Sequence, residues 1–396
     1  MQNILSLITA RVSGVAFLIA ALLISTVALA CPFCSAPSLT LSEQLAAAQS
    51  AILVQWAGGK DANRDEGFTG TTDYEVLQVV RDDSKQLKKG DKVTVDRYRT
   101  GKAGDLFLLL GTVVEDATEW SSPLEVSETS FNYILQAPSK ETPTTERLAY
   151  FMKFLEYSDS MIATDAYSEF SNAPYDEIVP LADKMPREKL RTWLKDKDIS
   201  PTRIGLYGLM LGLSGHPEDA EFLKAIVLDE PEDFRLGIDG VMAGYLLLTG
   251  KEGLDVLNQA KLANTQAHFS ETFAAMQALR FMWTYGKGRI PADDLRHSMR
   301  LLLRRPNLAD LVIVDLARWN DWSTMPELMT LYDNKDYQVP SVKRAIVRFM
   351  LIAEKDAPAT SGSKAPEHVA AAKANLEILR EKDPKTVKAA ERYFFD

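Results

Sequence analysis

Ala137-Pro-Ser-Lys-Glu-Thr-Pro-Thr-Thr-Glu146-Arg147-Leu-Ala-Tyr-Phe-Met-Lys-Phe-Leu155 is where the chain changes period. Residues 137–146 are polar and proline-rich, a linker composition. Upstream, apolar residues come in short runs or alternate at period two. Downstream, from Arg147, they recur at helical spacing. The stretch therefore divides a β part from an α part.

In the β part, from about Leu45 to Leu135, five short strands are expected. They are Ala51–Trp56, Tyr74–Val80, Asp91–Asp96, Leu106–Leu110 and Phe131–Leu135. Leu106-Phe-Leu-Leu-Leu110 is apolar throughout, as in a strand covered on both faces, and Gly111 closes it. Gly58-Gly59, Gly67, Gly70, Lys89-Gly90 and Gly101 supply turns. Thr40-Leu-Ser-Glu43 fits a capping box opening a short helix. So many short strands in so few residues suggest a small closed or partly closed barrel.

The α part carries a loose internal repeat. Segments centred on Ala166, Leu206, Ala243, Ala278, Ala317 and Ala345 resemble one another, at intervals of 28 to 40 residues. Helix-pair units of that length mark an α-solenoid, in which each unit buries its apolar face only against its neighbours. Pro201, Pro231, Pro291 and Pro326 fall near expected breaks, where proline can open the next helix. Ala357–Pro366 reads as a spacer before one or two terminal helices, about 367–380 and 384–393.

Residues 1–30 hold one charge, Arg11, and an uncharged run from Val12 ending in Ala28-Leu29-Ala30. A basic start, an apolar middle and small residues at the end describe a signal peptide. An uncleaved signal anchor is the alternative, since about 20 apolar residues can cross a bilayer. Both readings export the rest, to a periplasmic or extracellular place. Overall, 45 basic against 55 acidic residues give a net charge of −10. No basic stretch is concentrated enough to follow a phosphate backbone, so nucleic acid is not an expected partner. Hydrophobic content of 46% and charged content of 25% suit a soluble globular protein.

The strand pattern has a family likeness. Ala51–Val54, Tyr74-x-Val76-x-x-Val79, Lys89-Gly90-Asp91-x-Val93-x-Val95 and Gly104–Leu109 together resemble the netrin-type OB barrel of metalloproteinase inhibitors and complement C-terminal domains, over residues 31–136. The chain departs from the inhibitors in having Cys-x-x-Cys for Cys-x-Cys and in lacking their later cysteines. The resemblance thus implies the fold and not protease inhibition. Residues 147–353 resemble HEAT repeats, which implies a curved surface for a protein or peptide partner. As a whole the chain is similar to exported bacterial proteins beginning with Cys-Pro-x-Cys, from which no activity carries over. The expected organisation is therefore a leader at 1–30, a netrin-like β-barrel at 31–136 and a linker at 137–146. A HEAT-like α-solenoid at 147–353, a spacer at 354–366 and capping helices at 367–396 complete it.

Chemistry is sparsely signalled. His216, His268, His297 and His368 stand without a second histidine at ligand spacing, and no H-E-x-x-H or P-loop occurs. Gly212-Leu-Ser-Gly-His216 has the wrong spacing for a nucleophile elbow and reads as a helix end at Gly215. Asp61-x-Asn63-x-Asp65-x-Gly67 lacks the glycine and glutamate positions of an EF-hand and reads as a hairpin loop. Asp229-Glu-Pro-Glu-Asp233 reads as a solvated acidic helix start. Trp319 and Trp322, three apart, would share a face if their helix continued, and are candidate partner anchors.

Cys31 and Cys34 are the only cysteines. Cys-Pro-x-Cys matches the redox motif of thioredoxin-like proteins, but that motif follows a strand, and here nothing folded precedes it. Three readings stay open: a local disulfide, lipidation of Cys31 with membrane tethering, and redox or chelation chemistry. The expectation is an exported, non-catalytic binding protein without a cofactor. A thiol-redox or metal-chelating protein and a membrane-anchored assembly factor are the alternatives.

Overall fold

A computed structural model describes residues 31–34, 38–63, 65, 67–114, 117–229, 233–356 and 366–392. The leader lies outside the described residues, as do most of the acidic 229–233 segment and most of the 357–366 spacer. Among the described residues no helix is long and apolar enough to cross a membrane.

The chain divides into two compact units between Leu181 and Ala182; Cys31 and Pro32 group with the first, Phe33 and Cys34 with the second. In the first unit, α1 (Leu41–Ala47) precedes six strands. These are β1 (Ser50–Lys60), β2 (Thr71–Asp82), β3 (Lys92–Asp96), β4 (Leu106–Val114), β5 (Ala117–Trp120) and β6 (Leu124–Val126). Helices α2 (Glu128–Gln136), α3 (Thr144–Phe151), α4 (Ser160–Ser171) and α5 (Tyr175–Ile178) follow.

The strands form one open antiparallel sheet in the order β3-β2-β1-β4-β5, with β6 also on β4. Central β1 shows why a period-two reading works: Ile52 and Val54 enter the core with Tyr74, Val76, Val93, Phe107 and Leu109. Ala51, Leu53 and Leu108 are buried as well, so β1 and β4 are covered on both faces. Thr40 and Glu43 make the expected capping box on α1. The Asp61–Gly67 stretch falls in the loop between β1 and β2, where Asn63 bridges Phe68.

One expected strand is a helix. Phe131–Leu135 lies inside α2, which Ser127 caps by accepting the Ser130 N–H. Ser130, Phe131, Tyr133 and Ile134 are its buried residues, a helical spacing that so short an apolar run left undecided. Ala117–Trp120 and Leu124–Val126 were not expected as strands; β5 is short and half polar, with exposed and half-buried residues alternating.

The second unit is helical. Its helices are α6 (Arg187–Trp193), α7 (Pro201–Ser214), α8 (Pro217–Leu228), α9 (Ile238–Thr249), α10 (Lys251–Leu257) and α11 (Phe269–Tyr285). Then come α12 (Ala292–Leu301), α13 (Ala309–Arg318), α14 (Met325–Asp333), α15 (Pro340–Lys355), α16 (Glu367–Lys382) and α17 (Pro384–Glu391). Pro201 and Pro326 sit in first turns, and Pro291 is the N-cap of α12. Gly215 ends α7.

Helix α7 packs on α9, α9 on α11, and α13 on α15. The α7–α9 contact is backbone on backbone. A Cβ built on Gly244 would lie 2.1 Å from the Gly208 carbonyl oxygen, and one on Gly212 would lie 2.2 Å from Gly244 Cα. Any side chain there would drive the helices apart. Buried Asp219 ties α6 to α8: Arg187 Nη2 and Arg191 Nη1 each donate to it at 2.7 Å, and it accepts the His216 N–H.

Candidate binding groove

The apolar groove of the second unit is built from four short segments. The turn after α6 gives Leu194 and Ile199, and the first turn of α7 gives Pro201 and Ile204. One face of α8 gives Phe222, Ala225 and Ile226, and the approach to α9 gives Phe234 and Leu236. The groove encloses about 1050 Å³, at the upper end of the usual ligand-pocket range of roughly 300–1000 Å³.

Its outer wall is set by alternation. Arg235 turns inward, donating from Nε and Nη2 to the two Glu271 carboxylate oxygens at 2.9 and 2.6 Å, and from Nη1 to the Ile226 carbonyl at 2.6 Å. Its neighbours Phe234 and Leu236 are 70% and 45% exposed, and Leu228 on the last turn of α8 is 43% exposed. The chain then turns into α9 through Gly237 at φ +83°, where a Cβ would sit 2.5 Å from the Gly205 N. Only glycine satisfies both the left-handed backbone and that approach. Large apolar groups gathered on one surface are the usual mark of an interaction site.

Glu271 anchors this wall. Fully buried Lys261 lies 3.2 Å from its Oε2. Burial pushes the Glu271 carboxyl up, but the hydrogen bond and charge of Arg235 and the charge of Lys261 outweigh it, so it stays below the usual carboxylate value. The pairing is complete, which keeps Arg235 in place. On the opposite rim, Lys195 and Arg191 lie over the Phe222 ring at 5.1 and 5.0 Å. Lys195, Asp196, Lys197, Asp229 and Asp233 make the rim mixed in charge.

The expected anchor residues lie elsewhere. Helix α13 ends at Arg318, and Asn320 adopts φ +54°, so Trp319 and Trp322 do not share a helix face. Trp319 is 4% exposed and stacks on Trp283 at 4.5 Å between ring centroids. Arg296 covers Trp283 at 5.3 Å and donates to the Trp319 carbonyl. Trp322 is half-buried; its indole N–H donates to Asp356 at 2.9 Å, and its ring stacks on His368. Both indoles are engaged in packing within the helical unit. His216 and His268 stand at helix starts.

Cys31 and Cys34 are joined in a disulfide. Cys31 is buried and its N–H donates to the Ser171 carbonyl at 3.2 Å. Phe33 is buried 5.1 Å from the Phe281 ring.

A second feature, in the first unit, is a buried carboxylate pair on α4. Asp165 Oδ1 accepts the Leu41 N–H at 2.6 Å and Oδ2 accepts the Tyr133 hydroxyl at 2.7 Å. Burial pushes the Asp165 carboxyl up to about 6; the two hydrogen bonds oppose this, and the nearby charges of Glu169 and Glu43 add to it. One turn on, buried Glu169 pairs with buried Arg147. Their partners fasten α1, α2 and α3 to α4.

Comparison with protein-family models, curated proteins and solved structures finds no match for this chain. The geometry therefore carries the functional reading by itself. The groove escaped the sequence because its four segments meet only in the folded chain. One signal was present: Phe234-Arg235-Leu236, alternating between an acidic stretch and Gly237, puts two large apolar residues in a loop.

Proposed function

We propose that this is an exported, non-catalytic binding protein that seats an apolar segment of a partner polypeptide in the groove between α6, α7, α8 and the approach to α9. The observation that carries this is the pinned wall: Arg235 is locked to Glu271, which leaves Phe234 at 70% exposure beside Leu236 and Leu228. Aromatic anchors at a preformed groove supply much of the energy in such interfaces. The mixed rim, with Lys195 and Lys197 against Asp196, Asp229 and Asp233, suits the interspersed charges of a polypeptide better than a ligand of one sign.

The same reading takes the helices as a stacked repeat and the sheet as a partly closed barrel. Arg99, just after β3, reaches across the open side to the Pro123 carbonyl and Glu125, both at 2.9 Å. A photo-crosslinking amino acid in place of Phe234 tests the proposal in cells that produce the protein. A discrete polypeptide adduct is expected, lost when Leu236 is changed to Asp and absent when the probe replaces exposed Ile378. No adduct, or equal adducts at both positions, refutes it.

A further inference from the structure

A second cavity lies in the first unit, where the chain leaves β3. It encloses about 340 Å³ and is lined by Arg97, Tyr98, Arg99, Trp120, Ser121 and Ser122, among others. Arg97 adopts φ +93°, a conformation that residues other than glycine rarely take. Its backbone is held there on both sides. The Arg97 N–H donates to the Gly70 carbonyl at 2.8 Å, and the Thr72 hydroxyl donates to the Arg97 carbonyl at 2.9 Å. The same Thr72 oxygen accepts the Arg99 N–H at 2.7 Å. Strain held this firmly is concentrated at functional sites.

The walls are fixed too. The Tyr98 side chain lies against Gly59 and Gly70, where a Cβ would come within 3.0 and 2.5 Å of it. Trp120 packs against the sheet core. Arg99 is committed, its guanidinium 4.8 Å from the Phe107 centroid and bonded to Pro123 and Glu125. The Arg97 guanidinium, by contrast, forms no ion pair among the described residues. Asp96 is the one carboxylate in the lining, against two arginines, on a chain whose net charge is −10. Glu125 neutralises Arg99, which leaves the Arg97 guanidinium beside two aromatic rings to meet an anion with a flat apolar body.

We infer that this cavity binds a small aromatic carboxylate, its carboxylate on Arg97 and its ring against Trp120 and Tyr98. Guanidinium–carboxylate pairing supplies charge and geometry together, and the rings supply apolar area. The site is separate from the groove of the helical unit, and neither proposal depends on the other.

Saturation-transfer NMR on the full chain, with benzoate as probe and benzamide as its uncharged counterpart, tests the inference. Benzoate is expected to bind saturably, and benzamide about tenfold or more weaker, the scale of one charge-assisted hydrogen bond. Arg97→Gly is the informative variant, because glycine accepts φ +93° without strain. It should melt no lower than the parent while losing benzoate about tenfold or more. If that variant fails to fold, Arg97→Gln carries the same expectation. No benzoate binding at millimolar concentration, equal binding of benzamide, or undiminished binding in a folded Arg97 variant each overturns the inference.

Discussion

Acidification should strengthen the first unit through Asp165, and Asp165→Asn should remove that response. The Asp165 side chain is buried between α1, α2 and α4, and burial raises its carboxyl to about 6 from an ordinary 3.8. Between those values the folded chain holds a proton that the unfolded chain has released. Stability must then rise as pH falls through this window and decline as pH rises towards neutrality. A shift of about two units corresponds to about 3 kcal/mol. Glu43 works the other way. Burial raises its carboxyl, but the Thr40 N–H, Lys140 and Arg147 outweigh it and hold it low, so its contribution is lost on acidification. The parent's pH curve mixes both effects, and the difference between parent and variant isolates Asp165. Absolute stability at pH 7 is a poorer readout. Asn removes a buried charge but leaves either the Leu41 N–H or the Tyr133 hydroxyl without its acceptor, a cost of about 1–3 kcal/mol. Hydrogen exchange of the α4 amides, measured by mass spectrometry at pH 5 and 7 and corrected for intrinsic rates, reports this unit alone. Between pH 7 and pH 5 the parent should gain about 1 kcal/mol of protection relative to the variant, somewhat under half of the full effect. Equal pH responses in the two proteins would refute the argument.

Gly244→Ala should destabilise the helical unit by about 1–3 kcal/mol or more, because its Cβ meets the Gly208 carbonyl oxygen; an unchanged thermal melt would contradict the backbone contact. Glu271→Ala removes a buried carboxylate from beside Lys261 and frees Arg235, so a loss of about 3–5 kcal/mol is expected by denaturant titration, and an unchanged midpoint would contradict the anchoring role of Glu271. The disulfide closes a loop through only Pro32 and Phe33, so reduction should shift the melting temperature very little. Intact mass before and after reduction should differ by two hydrogens, and an acyl adduct on Cys31 would show a lipoprotein instead.

How much could be read from sequence depended on how local each signal was. β1 and β4 were legible because period-two alternation and an unbroken apolar run are properties of consecutive residues. α2 was misread because Phe131-Asn-Tyr-Ile-Leu135 fits either period. The deciding signal was outside it, at Ser127-x-x-Ser130, where one hydroxyl caps the helix. The tryptophan pair does not share a face because the helix stops at Arg318 and Asn320, at positive φ, turns the chain between the indoles. Asp165 was visible only as the start of a repeated segment. Its spacing of four from Glu169, among Ala166, Tyr167 and Phe170, was the available sign of carboxylates on a buried face.

The groove was the least legible feature, yet its cause is among the most local. Gly205 lets Gly237 approach α7 until a Cβ would touch backbone, and that approach fixes where the chain enters α9. With the entry fixed, Arg235 falls within reach of Glu271 and of the Ile226 carbonyl, and both bonds form. Alternation then leaves Phe234 and Leu236 on the other side, facing water. A side chain at Gly240, whose Cβ would lie 2.2 Å from the Gly205 carbonyl oxygen, would therefore act twice, separating α7 from α9 and moving the wall that exposes Phe234. The exposure of these apolar residues follows from helix packing and an ion pair, and not from any weakness in the fold around them. In the proposed function, a surface held open that firmly already has the shape the partner would meet, and binding would not include the cost of ordering it.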